Sequence, residues 1–80
     1  MQTFFITLGS VSDVRQFVEA AMLQSCEIDV RSDRYLVNAK SIMGLFSLDL
    51  QRPIQVEFHG SEAESTAFSQ SISSLLAPGR

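Results

Sequence analysis

The sequence predicts an α+β fold: one antiparallel sheet with helices packed on a single face. Stretches of alternating apolar residues are interleaved with stretches in which apolar residues recur three and four apart, so strand and helix periods trade places along 80 residues. The connection between the second and third strand-like stretches is only Ser32-Asp33, short enough to demand an antiparallel hairpin. Each strand carries one apolar face and each helix one apolar stripe, which a two-layer, open-faced sandwich satisfies. The expected order is β-α-β-β-α-β-α, with four strands and three helices.

Residues 3–8 alternate Phe4, Ile6 and Leu8 against Phe5 and Thr7, giving the first strand. Gly9 and Ser10 break it. Ser10-Val11-Ser12-Asp13 then offers hydroxyl caps and an acidic first turn. Val11, Val14, Phe17, Val18, Ala21 and Met22 form the stripe of a helix expected over residues 11–23, ended by Ser25 and Cys26. Residues 27–31, with Ile28 and Val30 on one face, and residues 34–38 make the hairpin.

A change of period follows. Tyr35, Leu36 and Val37 favour extended backbone, whereas Ile42, Leu45 and Leu48 recur at helical spacing. Ser41 stands at the switch, where a side-chain hydroxyl caps a helix. A short second helix is expected from Ser41 to about residue 48–50, with Gly44 allowing close approach of another surface and Met43 and Phe46 facing partly outward. Pro53 opens the fourth strand, where Ile54, Val56 and Phe58 alternate with Gln55, Glu57 and His59. Ser61-Glu62-Ala63-Glu64 is a capping box for the last helix. Its stripe is Ala67, Phe68, Ile72, Leu75 and Leu76, and Pro78-Gly79 stops it.

Hydrophobic residues at 45%, charged residues at 19% and a net charge of −3 describe one small folded domain. The absence of a basic run argues against nucleic acid. No apolar run approaches the roughly 20 residues that span a bilayer, so membrane insertion is not expected. The first residues lack the basic start of a signal peptide, and a single cysteine, Cys26, forms no internal disulfide; together these point to the cytoplasm. One Cys and one His make a metal site improbable, and no cofactor is implied. With no glycine-rich phosphate loop, triad or paired-carboxylate spacing, the sequence does not read as an enzyme.

The run Asn38-Ala39-Lys40-Ser41-Ile42-Met43-Gly44-Leu45-Phe46-Ser47-Leu48 closely resembles the regulatory-serine segment of HPr, the phosphocarrier of the bacterial sugar phosphotransferase system. The resemblance implies the same four-stranded open-faced sandwich. It also implies that Ser41 is a regulatory phosphorylation site, modified by an HPr kinase, and that Ile42, Met43 and Phe46 form a contact patch for partner proteins. Those partners are proteins of the sugar system or of its regulation, such as that kinase or a transcriptional regulator. An HPr carries phosphate on a histidine at the start of its first helix. Here residues 10–17 contain none. Arg15 stands near the family arginine, which places Asp13 near the missing histidine and leaves a degenerate phosphocarrier site. The sole histidine is His59, on the fourth strand. The expected function is therefore an HPr-like regulatory or binding module without histidine phosphotransfer. The alternatives are a phosphocarrier with a non-standard acceptor, Asp13 or His59, and an unrelated binding module on the same fold.

Overall fold

A computed structural model of the chain describes residues 1–77. The elements run β1 (Gln2–Ile6), α1 (Val11–Met22), β2 (Ile28–Ser32), β3 (Tyr35–Asn38), α2 (Ile42–Phe46), β4 (Ile54–Phe58), α3 (Glu62–Ser71), a 3-10 turn (Ser73–Leu75) and β5 (Leu76–Ala77). The strands form one sheet in the order β3-β2-β4-β1-β5, and every pairing is antiparallel.

Register explains the two faces. Phe4 faces Val56 and Ile6 faces Ile54 across β1 and β4, while Val30 faces Val56 and Val37 across β2. With the side-chain period of two, these residues share one side of the sheet. Ile6, Ile28, Val30, Ile54, Val56 and Phe58 are buried there against Val14, Phe17, Val18 and Ala21 of α1, Leu45 of α2 and Phe68 of α3. Phe68 is the hub: its ring stacks on Phe58 at 5.4 Å, meets Phe17 edge-on at 5.9 Å and lies 6.2 Å from Phe4. Such ring pairs add about 0.5–1.5 kcal/mol beyond area burial. The opposite side of the sheet carries Thr3, Phe5, Asp29, Arg31, Gln55 and Glu57 and has no helix over it.

The hairpin turns at Asp33, whose φ of 54° lies in the left-handed region. Aspartate tolerates that region better than most residues. Ser32 pairs with Tyr35, so β3 begins at Tyr35 and not at Arg34.

Several boundaries differ from the periodicity. The sheet has five strands, not four, because the chain leaves α3 early. Ser69 and Ser71 hydroxyls donate to the carbonyls of Thr66 and Phe68, and Ile72 departs from helical geometry at φ −120°, ψ 30°. Serines bonded back onto the preceding turn compete with the helix ladder. A 3-10 turn then delivers Leu76 and Ala77 beside Ile6 and Phe5. Leu76 is therefore a strand residue and half exposed, and Ala67 is exposed; Ser65, Phe68, Ile72 and Leu75 form the inward stripe. The expected stop at Pro78-Gly79 lies outside the described residues.

The first helix ends at Met22, with Leu23 as its cap, so Ser25 and Cys26 fall beyond it. Val11 and Met22 sit at its two ends, where no neighbouring element covers them, and both are exposed. α2 ends at Phe46 and not near residue 48–50. Ser47 caps it, with its hydroxyl donating to the Gly44 carbonyl, and Leu48 is buried beyond the helix. Ile42, expected on the inward stripe, is 37% exposed; Leu45 alone of the five helical residues is buried. Among the described residues no helix is long and apolar enough to cross a membrane.

Candidate functional site

Two helix starts hold the residues that the sequence singles out. At the first, Ser10 is the cap of α1, and its hydroxyl accepts the Asp13 N–H at 3.1 Å. Asp13 answers by folding back: its Oδ2 accepts the Gly9 N–H at 3.0 Å. One side chain takes a first-turn amide and the other takes the amide just ahead of the cap. A carboxylate thus occupies the positive end of α1, where an anion is most stable. Arg15, two residues on, is exposed.

At the second start, Ser41 is exposed and its Oγ accepts the Gly44 N–H at 3.1 Å. Gly44 contributes no side chain, so nothing folds back over the hydroxyl from that residue. A β-carbon here would lie 3.2 Å from Ser41 Oγ and 3.3 Å from Val37 Cβ, close enough that these neighbours would have to yield a few tenths of an ångström. The turn before the cap is fixed by Asn38, whose carbonyl accepts the Ser41 N–H at 3.0 Å and whose Oδ1 accepts the Lys40 N–H at 2.8 Å. Ala39 is buried, and its N–H donates to the Ile28 carbonyl at 2.9 Å. The Lys40 ammonium reaches across to the Gln24 carbonyl, 2.8 Å away and partly buried.

The fold sets the start of α1 beside the end of α2. A groove of about 370 Å³ runs between the beginning of α1 and the segment after α2, lined by Ser10, Val11, Val14, Phe46, Leu50 and Gln51 among others. At this groove Phe46 is 45% and Val11 64% exposed, and Met43, on the preceding turn of α2, is 77% exposed. Ile42, Met43 and Phe46 therefore do lie at the surface. Val11 joins Phe46 at the groove and was missed from the sequence, where its spacing placed it on the buried stripe. The available signal was its position: directly after the cap Ser10, it has no preceding turn to pack beneath.

His59 is elsewhere. Its Nε2 lies 3.1 Å from Asp29 Oδ2, on the helix-free side of the sheet. Asp29 faces Glu57 across β2 and β4, and Glu57 takes a 2.9 Å bond from the Arg31 guanidinium. Two opposed carboxylates on neighbouring strands repel, and Arg31 and His59 each stand against one of them. Ligating atoms of Asp29, Glu57 and His59 lie within 4.8 Å of one another, so these are the residues that a cation would meet, though Arg31 already serves Glu57. Cys26 is half buried; a β-carbon on Gly60 would meet its Sγ at 2.8 Å.

A small open-faced sandwich whose helices, each capped by a serine, lie on one face of an antiparallel sheet is the architecture of a phosphocarrier-type domain. Residues 13–77 match the family model described as the PTS HPr component phosphorylation site. The chain belongs to the HPr family. Among solved structures it is similar to HPr-C-His from Thermoanaerobacter tengcongensis, with a TM-score of 0.75 at 26% identity, covering 95% of this chain and 91% of that one. It is likewise similar to a phosphocarrier protein HPr from Bacillus anthracis str. Ames, with a TM-score of 0.72 at 26% identity, covering 95% and 94%. A histidine-containing phosphocarrier protein of Mycoplasma shares the fold at a TM-score of 0.70 and 20% identity, covering 96% and 98%. No curated protein matches the chain.

Proposed function

We propose that this HPr-family chain is a regulatory or binding module of the phosphoenolpyruvate-dependent sugar phosphotransferase system, that it does not relay phosphate through a histidine, and that Ser41 is its phosphorylation site. The observation that carries the reading is the contrast at the start of α1. That start contains no histidine; Ser10 takes the Asp13 amide and the Asp13 carboxylate takes the Gly9 amide. Neutral imidazole is a good nucleophile near pH 7; a carboxylate held by the Gly9 amide repels an incoming phosphoryl group. His59 is engaged with Asp29 on the other side of the sheet.

Ser41 suits the opposite role. Its hydroxyl is exposed, and the segment around it has the family pattern. Transfer of the ATP γ-phosphoryl to Ser41 Oγ, with loss of its proton and release of ADP, adds about −1.5 to −2 charge there. Ile42, Met43 and Phe46 lie within the next five residues, so the charge sits beside the apolar surface a partner would use. The partners in this reading are an HPr kinase and a transcriptional regulator or other protein of the sugar system.

Mass spectrometry after incubation with an HPr kinase and ATP tests the serine. Phosphate on Ser41, lost in Ser41→Ala, is expected; phosphate only on Ser47 or Ser12, or none from a kinase active on an ordinary HPr, overturns it. Incubation with phosphoenolpyruvate and the first enzyme of the system tests the histidine half. No acid-labile phosphate is expected. Label on His59 or Asp13 at the rate of an ordinary HPr would restore a phosphocarrier. Ser41→Asp keeps the fold, since aspartate also caps, and shifts affinity for a partner docked on Met43 and Phe46.

A further inference from the structure

We propose that Lys40 is a latch between Ser41 and the end of α1, so that the modification state of Ser41 is felt at the last turn of that helix. The inference rests on the reading of Ser41 as phosphoacceptor and concerns what its charge then does inside the molecule.

α1 has no basic residue in its last turn. The C-terminal end of a helix favours a cation, which answers its free carbonyls and the negative end of its dipole. The cation arrives from sixteen residues away: Lys40 Nζ donates to the Gln24 carbonyl at 2.8 Å, in a partly buried position. Only the ammonium and its stem are free to move. The Lys40 backbone is pinned by Asn38 Oδ1, and the Ser41 N–H by the Asn38 carbonyl.

A phosphoryl group on Ser41 puts about −1.5 to −2 charge on the adjacent residue. An ammonium gains more against a phosphate, with full opposite charge, than against a neutral carbonyl. The Lys40 side chain then leaves Gln24 for the phosphate. What it abandons is a solvent-exposed end, held by the Leu23 N–H on the Ala20 carbonyl at 3.2 Å and the Gln24 N–H on that of Ala21 at 3.0 Å, with Leu23 85% exposed. Helix ends with few buried contacts open most readily. Modification at the start of α2 therefore loosens the end of α1.

The test uses the full chain carrying phosphoserine at position 41, introduced by chemical ligation. No kinase is needed, so the result is independent of whether a kinase recognises Ser41. Amide hydrogen exchange at Leu23 and Gln24 and the carbonyl carbon-13 shift of Gln24 are read in the unmodified chain, the phosphoserine chain, Lys40→Met, and phosphoserine with Lys40→Met. Phosphoserine is expected to speed exchange at both amides several-fold and to move the Gln24 shift. Lys40→Met is expected to do the same, with phosphoserine adding nothing further. An unchanged Gln24 carbonyl and unchanged exchange on phosphorylation overturn the proposal, as does a full phosphoserine effect in Lys40→Met. The first comparison contains no substitution and decides alone if Lys40→Met does not fold.

Discussion

The starts of α1 and α2 are built on the same device and differ in what stands three residues on. In both, a serine hydroxyl accepts the N–H of the third residue after it at 3.1 Å. At α1 that residue is Asp13, whose carboxylate closes the turn by taking the Gly9 N–H. At α2 it is Gly44, with no side chain to return. One start therefore carries its own anion. The other leaves an exposed hydroxyl with a lysine beside it. A single side chain decides which of two equivalent caps has room for an added charge.

The largest expected effect removes the packing beneath the first cap. Phe17 is fully buried against Phe68, so Phe17→Ala should cost about 3–5 kcal/mol, a large share of a small domain's stability. Urea unfolding measures it, and a loss below 1 kcal/mol would mean that α1 is not seated as described. Next come the caps themselves. Ser10→Ala and Ser41→Ala should each cost about 0.5–2 kcal/mol, equal within error if the two devices are equivalent. In the kinase reaction they should separate, with Ser41→Ala abolishing modification and Ser10→Ala leaving it intact.

Asp13→Ala sharpens the difference. It should cost about 0.3–1 kcal/mol through the lost charge at the helix start, and the loss should shrink with added salt. Asp13→Asn keeps an acceptor for the Gly9 amide and removes only the charge, so it should cost as much as Asp13→Ala; a clearly smaller cost would assign the effect to the hydrogen bond. The smallest effect is Met43→Ala, expected to change stability by no more than about 0.5 kcal/mol, as for exposed residues generally, because Met43 is 77% exposed. Its consequence should appear in partner binding instead.

Much of this was legible from period alone. Ile6, Phe17, Ile28, Val30, Val56, Phe58 and Phe68 were expected in the core and are buried. Ser10, Ser41 and Ser61 were read as caps and are caps. What escaped depends on ends and on neighbours distant in sequence. Val11 and Met22 have the right spacing but no element opposite them. β5 escaped because Ile72 and Leu75 continue the helical stripe of α3 even though the backbone has already left the helix. At the start of α2, the capping role of Ser41 and the exposure of Met43 were legible because the strand-to-helix change of period marks both. The bond from Lys40 to Gln24 was not, since no local rule links a lysine to a carbonyl sixteen residues earlier.

The strand order has a consequence for how the chain assembles. β4 sits between β2 and β1, and its Ile54 pairs with Ile6 near the opposite end of the sequence. The hairpin of β2 and β3 can zip locally, but the sheet stays in two pieces until β4 closes the long loop back to β1. Long-range closure of this kind slows folding. If β4 docking is the rate-limiting step, truncations of Val56 should retard refolding, whereas truncations of the exposed edge at Leu36 should act mainly on unfolding.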